Sequence, residues 1–432
     1  MWHIELTWLN GLVATVVVYY MFLFVHLVLR RMFGPNVRDT GYRPFVFVVV
    51  PAHNEEDVIA HTIESLLRQE YPHRTVLIMN DGSQDATSRI AHEYADAHSE
   101  VLVVDRGADV AGRGKGAVLN HACEVILDMV AQRHPILEGR GPEDVLICIV
   151  DADGQLEAQT LSAVSPYFAE PDVGGVQIGV RIANANTNIL TLMQDIEFVG
   201  FSAFVQEARD AFGSVGLGGN GQFTRLSALL SLGHAPWTEC LTEDLDLGLS
   251  LVGEGWRIRF CPRAYVAQQA VTGLKALFRQ RTRWIQGHYQ CWRHLPVLNR
   301  RHRVPLRTRI DLSLYLVLVV FVVLVTIGMF FSILSFVGLA TLHSSLLVWL
   351  PPGVVRNLVT LVLSFGPLWV FLLTYQMRAQ VPLPARWLPA YSIIFACYTY
   401  CWFVATVWAW TRMALRRGSW SKTRRVKSEA AV

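Results

Sequence analysis

Val145-Leu-Ile-Cys-Ile-Val150, followed at once by Asp151-Ala-Asp153, is the stretch on which the fold turns. Six apolar residues in succession, without alternation, describe a strand covered on both faces, the habit of a parallel sheet. Two carboxylates one residue apart at its end supply hard oxygen ligands of the kind that hold Mg²⁺ or Mn²⁺ while diphosphate oxygens take the remaining positions. A solvated turn before Gly154 would use the same residues.

Upstream the pattern repeats. Phe45-Val-Phe-Val-Val-Val50 ends at Pro51, Thr75-Val-Leu-Ile-Met79 runs into Asn80-Asp81-Gly82-Ser83, and Val101-Leu-Val-Val104 follows. Helices are predicted between them, from about residue 56 to 69, around Thr87, Ile90 and Ala91, and from about 116 to 132. Alternating strand and helix argues a doubly wound α/β sheet, in which ligands bind beyond the carboxyl ends of the strands. Pro51, Asn54, Glu55, Asp81, Asp151 and Asp153 gather there. An acid in this place can accept from a nucleobase N–H or a ribose hydroxyl, although Asn80-Asp81-Gly82 is also a common turn. Lys115 stands between Gly114 and Gly116 at a helix start, where N–H groups, dipole and ammonium all point at an anion. No Gly-Lys-Ser/Thr ending follows, so this is not a Walker loop.

Downstream the alternation weakens. A strand is predicted at 176–180, an amphipathic helix from about 189 to 211, and a glycine-dense loop at 216–223 that includes Gly219 and Asn220 and could approach a ligand closely. Leu241-Thr242-Glu243-Asp244-Leu245-Asp246 then places three carboxylates in four residues. An ordinary helix also caps its N-terminus in this way. On a helix beginning near Leu274, Gln280, Arg283 and Trp284 share one face by three- and four-residue spacing. Arg283 can grip a diphosphate through two parallel bonds, and Trp284 can offer a flat surface to a sugar. A basic amphipathic helix resting on a membrane surface would look the same.

The 432 residues are 52% hydrophobic and 17% charged, with the excess at the two ends. Leu9–Leu29, Leu312–Ala340, Val354–Tyr375 and Leu388–Ala414 are uncharged or nearly so over about the 20 residues that cross a bilayer. Arginines at 30, 31, 38 and 43, and again between 300 and 309, face the middle of the chain to the cytoplasm. A multi-pass protein of the plasma (inner) membrane is expected, whose basic tail stays inside if one C-terminal segment is re-entrant or lies in the interface, or if a segment counted once folds back on itself. The net charge of +3 comes largely from these flanks and speaks of anionic lipid, not of nucleic acid. Seven cysteines, an odd count with no C-x-x-C pair, read as free thiols in a reducing compartment.

The order Pro51-Ala-His-Asn54-Glu55, Asn80-Asp81-Gly82, Gly114-Lys115-Gly116, Asp151-Ala-Asp153, Thr242-Glu243-Asp244 and Gln280-x-x-Arg283-Trp284 resembles the membrane-embedded family-2 glycosyltransferases. These are the processive synthases of cellulose, chitin, hyaluronan and poly-N-acetylglucosamine. The resemblance implies a GT-A-type, Rossmann-like cytoplasmic domain joined to α-helical transmembrane segments. Its parts would be an N-terminal span (1–31), the GT-A domain (44–273), interface helices (274–309), a transmembrane or re-entrant region (310–415) and a basic tail (416–432) similar to the gating elements of such synthases.

It further implies that Asp81, Lys115 and Asp151 contact the nucleotide of a UDP-sugar, with Pro51, Asn54 and Glu55 beside them. Asp153, with Asp151, would bind Mg²⁺ or Mn²⁺. Asp244, next to Glu243, would be the general base, and Gln280, Arg283 and Trp284 would close over the pyrophosphate and the acceptor. Gly219 and Asn220 would touch a sugar. Asn80 replaces a frequent Asp, and Gly219-Asn220-Gly221-Gln222 is unlike the versions in cellulose or hyaluronan synthases. The implied activity is processive, inverting polymerisation of a UDP-hexose, glucose or N-acetylglucosamine, into a β-glycan. The product would leave through the protein's own membrane region, where Tyr398 and Trp402 could stack on sugars. Single transfer to a lipid is the rival among enzymes, and a silent subunit or transporter the rival outside them.

Overall fold

The computed structural model describes residues 2–5, 7–33, 37–300, 303–317, 326, 327, 330, 340–343 and 354–415. Trp2–Glu5 (β1) precedes a helix at Thr7–Phe33. The strands that follow are Phe45–Ala52 (β2), Arg74–Asn80 (β3), Val101–Asp105 (β4), Val145–Ile149 (β5), Gln155–Leu156 (β6), Val173–Ile182 (β7), Gln222–Arg225 (β8) and Arg257–Gln268 (β9). They form one sheet in the order β4-β3-β2-β5-β8-β7-β9-β6. β4, β3, β2 and β5 run parallel. β8 lies antiparallel between β5 and β7. A short strand at Ala340–His343 (β10) pairs with β1 in a separate two-stranded sheet.

The unbroken apolar runs have a direct cause. In β2, Phe45, Phe47 and Val49 enter one core with Leu77, Ile147 and Ile149, while Val46, Val48 and Val50 enter another with Ile78, Leu146 and Cys148 on the opposite face. Each such side chain contributes about 1.5–3 kcal/mol by leaving water, so neither face can afford a polar residue.

Three features differ from the sequence expectation. The glycine-dense loop stops at Gly221, and Gln222–Arg225 is a central strand. β9 was not expected at all, because Arg257, Arg259, Pro262 and Arg263 break its apolar pattern. Its charges are met instead by Glu170 and Asp172 on Arg257, and by Glu170 and Asp210 on Arg259. The predicted 189–211 helix is α-helical over Ile189–Gly200, widens into a π-helical segment at Phe201–Gln206 and returns to a short α-helical stretch at Glu207–Arg209.

Two long helices, Val354–Arg378 and Leu388–Ala414, close the described chain. Among the described residues one helix, Ala385–Ala414, is long and apolar enough to cross a membrane, and a third of its most apolar window is buried. The expected span at Leu312–Ala340 and the basic tail at 416–432 lie largely or wholly outside the described residues. The N-terminal helix and Val354–Arg378 meet the sheet domain at Glu207, which accepts from Arg31 Nη2 at 2.8 Å and from Arg378 Nη2 at 3.2 Å.

Candidate active site

The parallel strands end where their next residues turn polar, and the turns are tightly held. Asp81 receives the Arg106 guanidinium, and the Gly112 N–H reaches both its carboxylate oxygens at 3.2 Å. Asn54 adopts a left-handed φ of 54°. Its Oδ1 accepts from Gln84 N at 2.7 Å and its own N–H donates to Ser83 Oγ at 3.0 Å.

Lys115 opens the Lys115–Ala131 helix. Its Nζ lies 2.6 Å from Asp151 Oδ1 and 3.8 Å from Glu243 Oε1. Burial alone would lower its pKa, but the charge of Asp151, and then that of Glu243, outweighs it and holds the ammonium at about 12. Glu243 and Asp244 are the first residues of the Glu243–Glu254 helix. Asp244 Oδ1 accepts from Leu245 N at 2.7 Å. Burial first, and the charge of Glu243 second, raise the Asp244 carboxyl to about 7, with Lys115 pulling the other way. A carboxylate that titrates near neutrality at the end of a sheet suits a general base.

Asp244 is placed largely by the packing of the loop that precedes it. Gly116 packs so closely that a Cβ there would lie 2.6 Å from the Thr238 carbonyl oxygen, and one on Gly287 would lie 2.6 Å from Thr242 N. The loop between them is thus gripped from both sides. Asn120 adds two bonds, from Nδ2 to Trp237 O at 2.8 Å and to Oδ1 from Trp237 N at 3.0 Å.

Gly219 has φ +75°, and a Cβ there would lie 2.7 Å from Asp244 Oδ2 and 3.4 Å from Lys115 Nζ. Gly219→Ala is expected to leave the protein folded and lower kcat on the order of 10²-fold, the scale of a misplaced catalytic group. Single-turnover kinetics beside a thermal melt would check this, and unchanged turnover would remove Gly219 from the site.

One cavity of about 1380 Å³ joins these groups. Pro51, Glu55, Asp81, Lys115, Asp151 and Gly219 line it on the sheet side, Glu243 and Asp244 at its middle, and Gln280, Arg283 and Trp284 on the Leu274–Gln290 helix. Beyond these it continues to Leu368, Phe371 and Phe395 on the two C-terminal helices.

Asn54, Asp153 and Asn220, expected to touch the ligand, do not line the cavity. Asn54 is spent on its turn. Asn220, 2% exposed, stands behind the wall, where Oδ1 accepts from Asp151 N at 3.1 Å and Nδ2 donates to Gln268 Oε1 at 2.8 Å. Asp153 is 5% exposed and accepts from Gln269 N at 2.9 Å. Asp151 and Asp153 still offer hard oxygens at one strand end, a donor set that fits Mg²⁺ or Mn²⁺, with Asp151 as the carboxylate that opens to the cavity.

Arg281 was not singled out by the sequence. It is 1% exposed and lies over Trp284 at 4.1 Å and Trp402 at 4.8 Å. Its Nη2 donates to Glu197 Oε2 at 2.7 Å and to Tyr398 Oη at 3.2 Å. Trp402 Nε1 donates to Glu197 Oε1 at 3.0 Å, and the Tyr398 hydroxyl also donates to Glu197. Tyr398 and Trp402 both line the cavity, and their polar atoms are engaged by the Arg281–Glu197 pair.

Residues 43–287 match the family described as glycosyltransferase like family 2. The chain belongs to this family. As a family-2 glycosyltransferase it is 35% identical over 280 residues to a beta-monoglucosyldiacylglycerol synthase of Trichormus variabilis, covering 64% of this chain and 56% of the relative. It is 27% identical over 274 residues to a poly-beta-1,6-N-acetyl-D-glucosamine synthase of Staphylococcus epidermidis, covering 62% and 59%. The chain thus spans little more than half the length of these curated relatives. A mannosyltransferase from Pyrobaculum calidifontis, solved with GDP-Man and Mn²⁺, shares the fold with a TM-score of 0.55 at 19% identity, over 95% of this chain and 98% of its own.

Proposed function

We propose that the protein is an inverting hexosyltransferase that moves one sugar from a UDP-hexose to a hydroxyl of a membrane lipid. The observation that carries this reading is the single cavity running from Lys115, Asp151 and Asp244 to Leu368, Phe371 and Phe395. A polar donor can occupy one end while an apolar acceptor enters from the other. Asp244 takes the proton of the attacking hydroxyl. Lys115 and Arg283 meet the charge that develops on the departing diphosphate. A divalent metal held by Asp151 and Asp153 would supply further neutralisation there. The relative that makes monoglucosyldiacylglycerol supports the lipid acceptor, and the motif order supports UDP as the nucleotide.

A second reading, polymerisation of the same donor into a secreted β-glycan, is favoured by Gln280, Arg283 and Trp284 standing together on the cavity wall and by the poly-N-acetylglucosamine synthase relative. The experiment is to reconstitute the protein in diacylglycerol-containing vesicles with Mg²⁺ or Mn²⁺ and offer UDP-glucose, UDP-galactose, UDP-N-acetylglucosamine and GDP-mannose in turn. The expected result is a monohexosyl lipid by mass spectrometry, formed from one UDP donor and lost on adding EDTA. A long polymer digested by linkage-specific hydrolases would replace the first reading with the second, and no transfer from any donor would sink both.

A further inference from the structure

Cys240 and Cys291 bracket the two halves of the site. Cys240 lies in the gripped loop two residues before Thr242, and Cys291 directly follows the Leu274–Gln290 helix. Their sulfurs are 3.8 Å apart. Thr242 Oγ1 lies 3.7 Å from Cys240 Sγ and 3.6 Å from Cys291 Sγ. Cys291 is fully buried, whereas Cys240 is only partly so and lines the cavity.

A metal is the competing use of this corner, since Asp246 also brings an oxygen within 4.8 Å of both sulfurs. That carboxylate is already taken. Its oxygens accept from Arg293 Nη2 at 2.6 Å, His294 Nε2 at 2.7 Å and Thr238 Oγ1 at 2.6 Å. A cation there would face the Arg293 guanidinium and compete with it, His294 and Thr238 for the one carboxylate. What the geometry leaves is two thiols in near contact, one of them reachable from the cavity.

We propose that Cys240 and Cys291 are an oxidation site, forming a reversible disulfide that couples the transferase to peroxide. The Cys240 thiol gives up its proton and the thiolate attacks one oxygen of a hydroperoxide; the O–O bond breaks, and the departing alkoxide or hydroxide takes up that proton, leaving a sulfenic acid and an alcohol or water. Cys291 then attacks the Cys240 sulfur, its proton leaves with the displaced hydroxide as water, and the S–S bond forms. Two thiols are oxidised by two electrons and one peroxide is reduced, and a dithiol reverses the change. Hydrogen bonds from the Cys291 thiol and from Thr242 lower the Cys240 pKa and favour it as the attacking sulfur.

A disulfide needs about 2.05 Å between sulfurs, so the 3.8 Å separation must close. The loop cannot yield freely, because Thr238 and Thr242 are pressed against Gly116 and Gly287. The pull of the new bond is therefore borne as strain on the held Thr242 turn, which leads directly into Glu243 and Asp244. The activity arm of this proposal rests on the transferase reading, while the bond itself is read by mass.

The test treats reduced, purified protein with hydrogen peroxide, digests it without reductant and searches for a linked peptide pair containing Cys240 and Cys291. Donor turnover is followed in parallel. The expected result is that pair, with kcat falling on the order of 10²-fold and returning on addition of dithiothreitol. Cys291→Ser, or Cys291→Ala should the serine variant fail to fold, keeps basal turnover and loses the reversible fall. Absence of the linked pair overturns the proposal, whatever the donor assays give. So does equal reversible sensitivity in the Cys291 variants, or a stoichiometric metal that shields both thiols from alkylation until chelated. A linked pair with unchanged kcat removes the coupling to activity.

Discussion

Asp244→Asn is expected to lower kcat by about 10²–10⁴-fold, the usual worth of a positioned base, with little change in UDP affinity. The stronger prediction concerns pH. Burial and the neighbouring Glu243 raise the Asp244 carboxyl to about 7, against the pull of Lys115. The proton-accepting form is therefore present above that pH and lost below it, and kcat/KM in the wild-type protein should fall about tenfold per unit on the acid side. Glu243→Gln removes the charge that raises Asp244, so the acid limb should move to lower pH. Lys115→Met removes the charge that lowers it, so the limb should move to higher pH. Both substitutions will also reduce the rate, but only the electrostatic account moves the limb in opposite directions. A pH profile of kcat/KM for the three proteins decides it, and limbs that coincide would assign the base elsewhere.

Arg281→Met is expected to destabilise the protein by about 3–5 kcal/mol, the cost of leaving a buried partner charge uncompensated. Glu197, on the cavity wall and 17% exposed, would lose the guanidinium now 2.7 Å away. Lys is no substitute. The guanidinium lies over Trp284 and Trp402 at 4.1 and 4.8 Å, and an ammonium cannot stack on two rings while also donating to Glu197 and Tyr398. Because Trp284 lines the cavity, loss of activity should accompany loss of stability. Pairing Arg281→Met with Glu197→Met separates the two causes. The double variant should regain much of the stability, since no buried charge is left alone, while its turnover stays low because Trp284 has lost its support. Thermal unfolding in detergent and donor turnover on the same samples check this, and a single variant that melts and turns over as the wild type would refute it.

Much of the sheet could be read from the chain because its parallel strands are buried on both faces. Phe45–Val50 and Val145–Val150 read as strands by their length, their β-branched and aromatic residues and the Pro51 and Asp151 that end them. β9 could not be read that way, since its arginines are satisfied by carboxylates on Glu170, Asp172 and Asp210 that only the fold brings near. The same limit governs the site. Asp244 and Lys115 stood out by motif, whereas Asn220 and Asp153 sit in the right segments but turn behind the cavity wall. Arg281, two places from Arg283, carries no local mark of its different task. Its partner Glu197 comes from a helix some 84 residues earlier, and no spacing rule links them.

Gly116 and Gly287, one on each side of the loop that precedes Asp244, imply a division of labour along the cavity. Close main-chain packing at these two glycines, together with Asn120 on Trp237, sets the distance between the proton acceptor and the two helices that flank it. The residues at the far end, Leu368, Phe371 and Phe395, take no part in that spacing. An acceptor of different shape can therefore be accommodated by recutting the apolar end while the chemistry at the other end keeps its register. Adaptation to new substrates would then be cheap on one side of the site and nearly forbidden on the other.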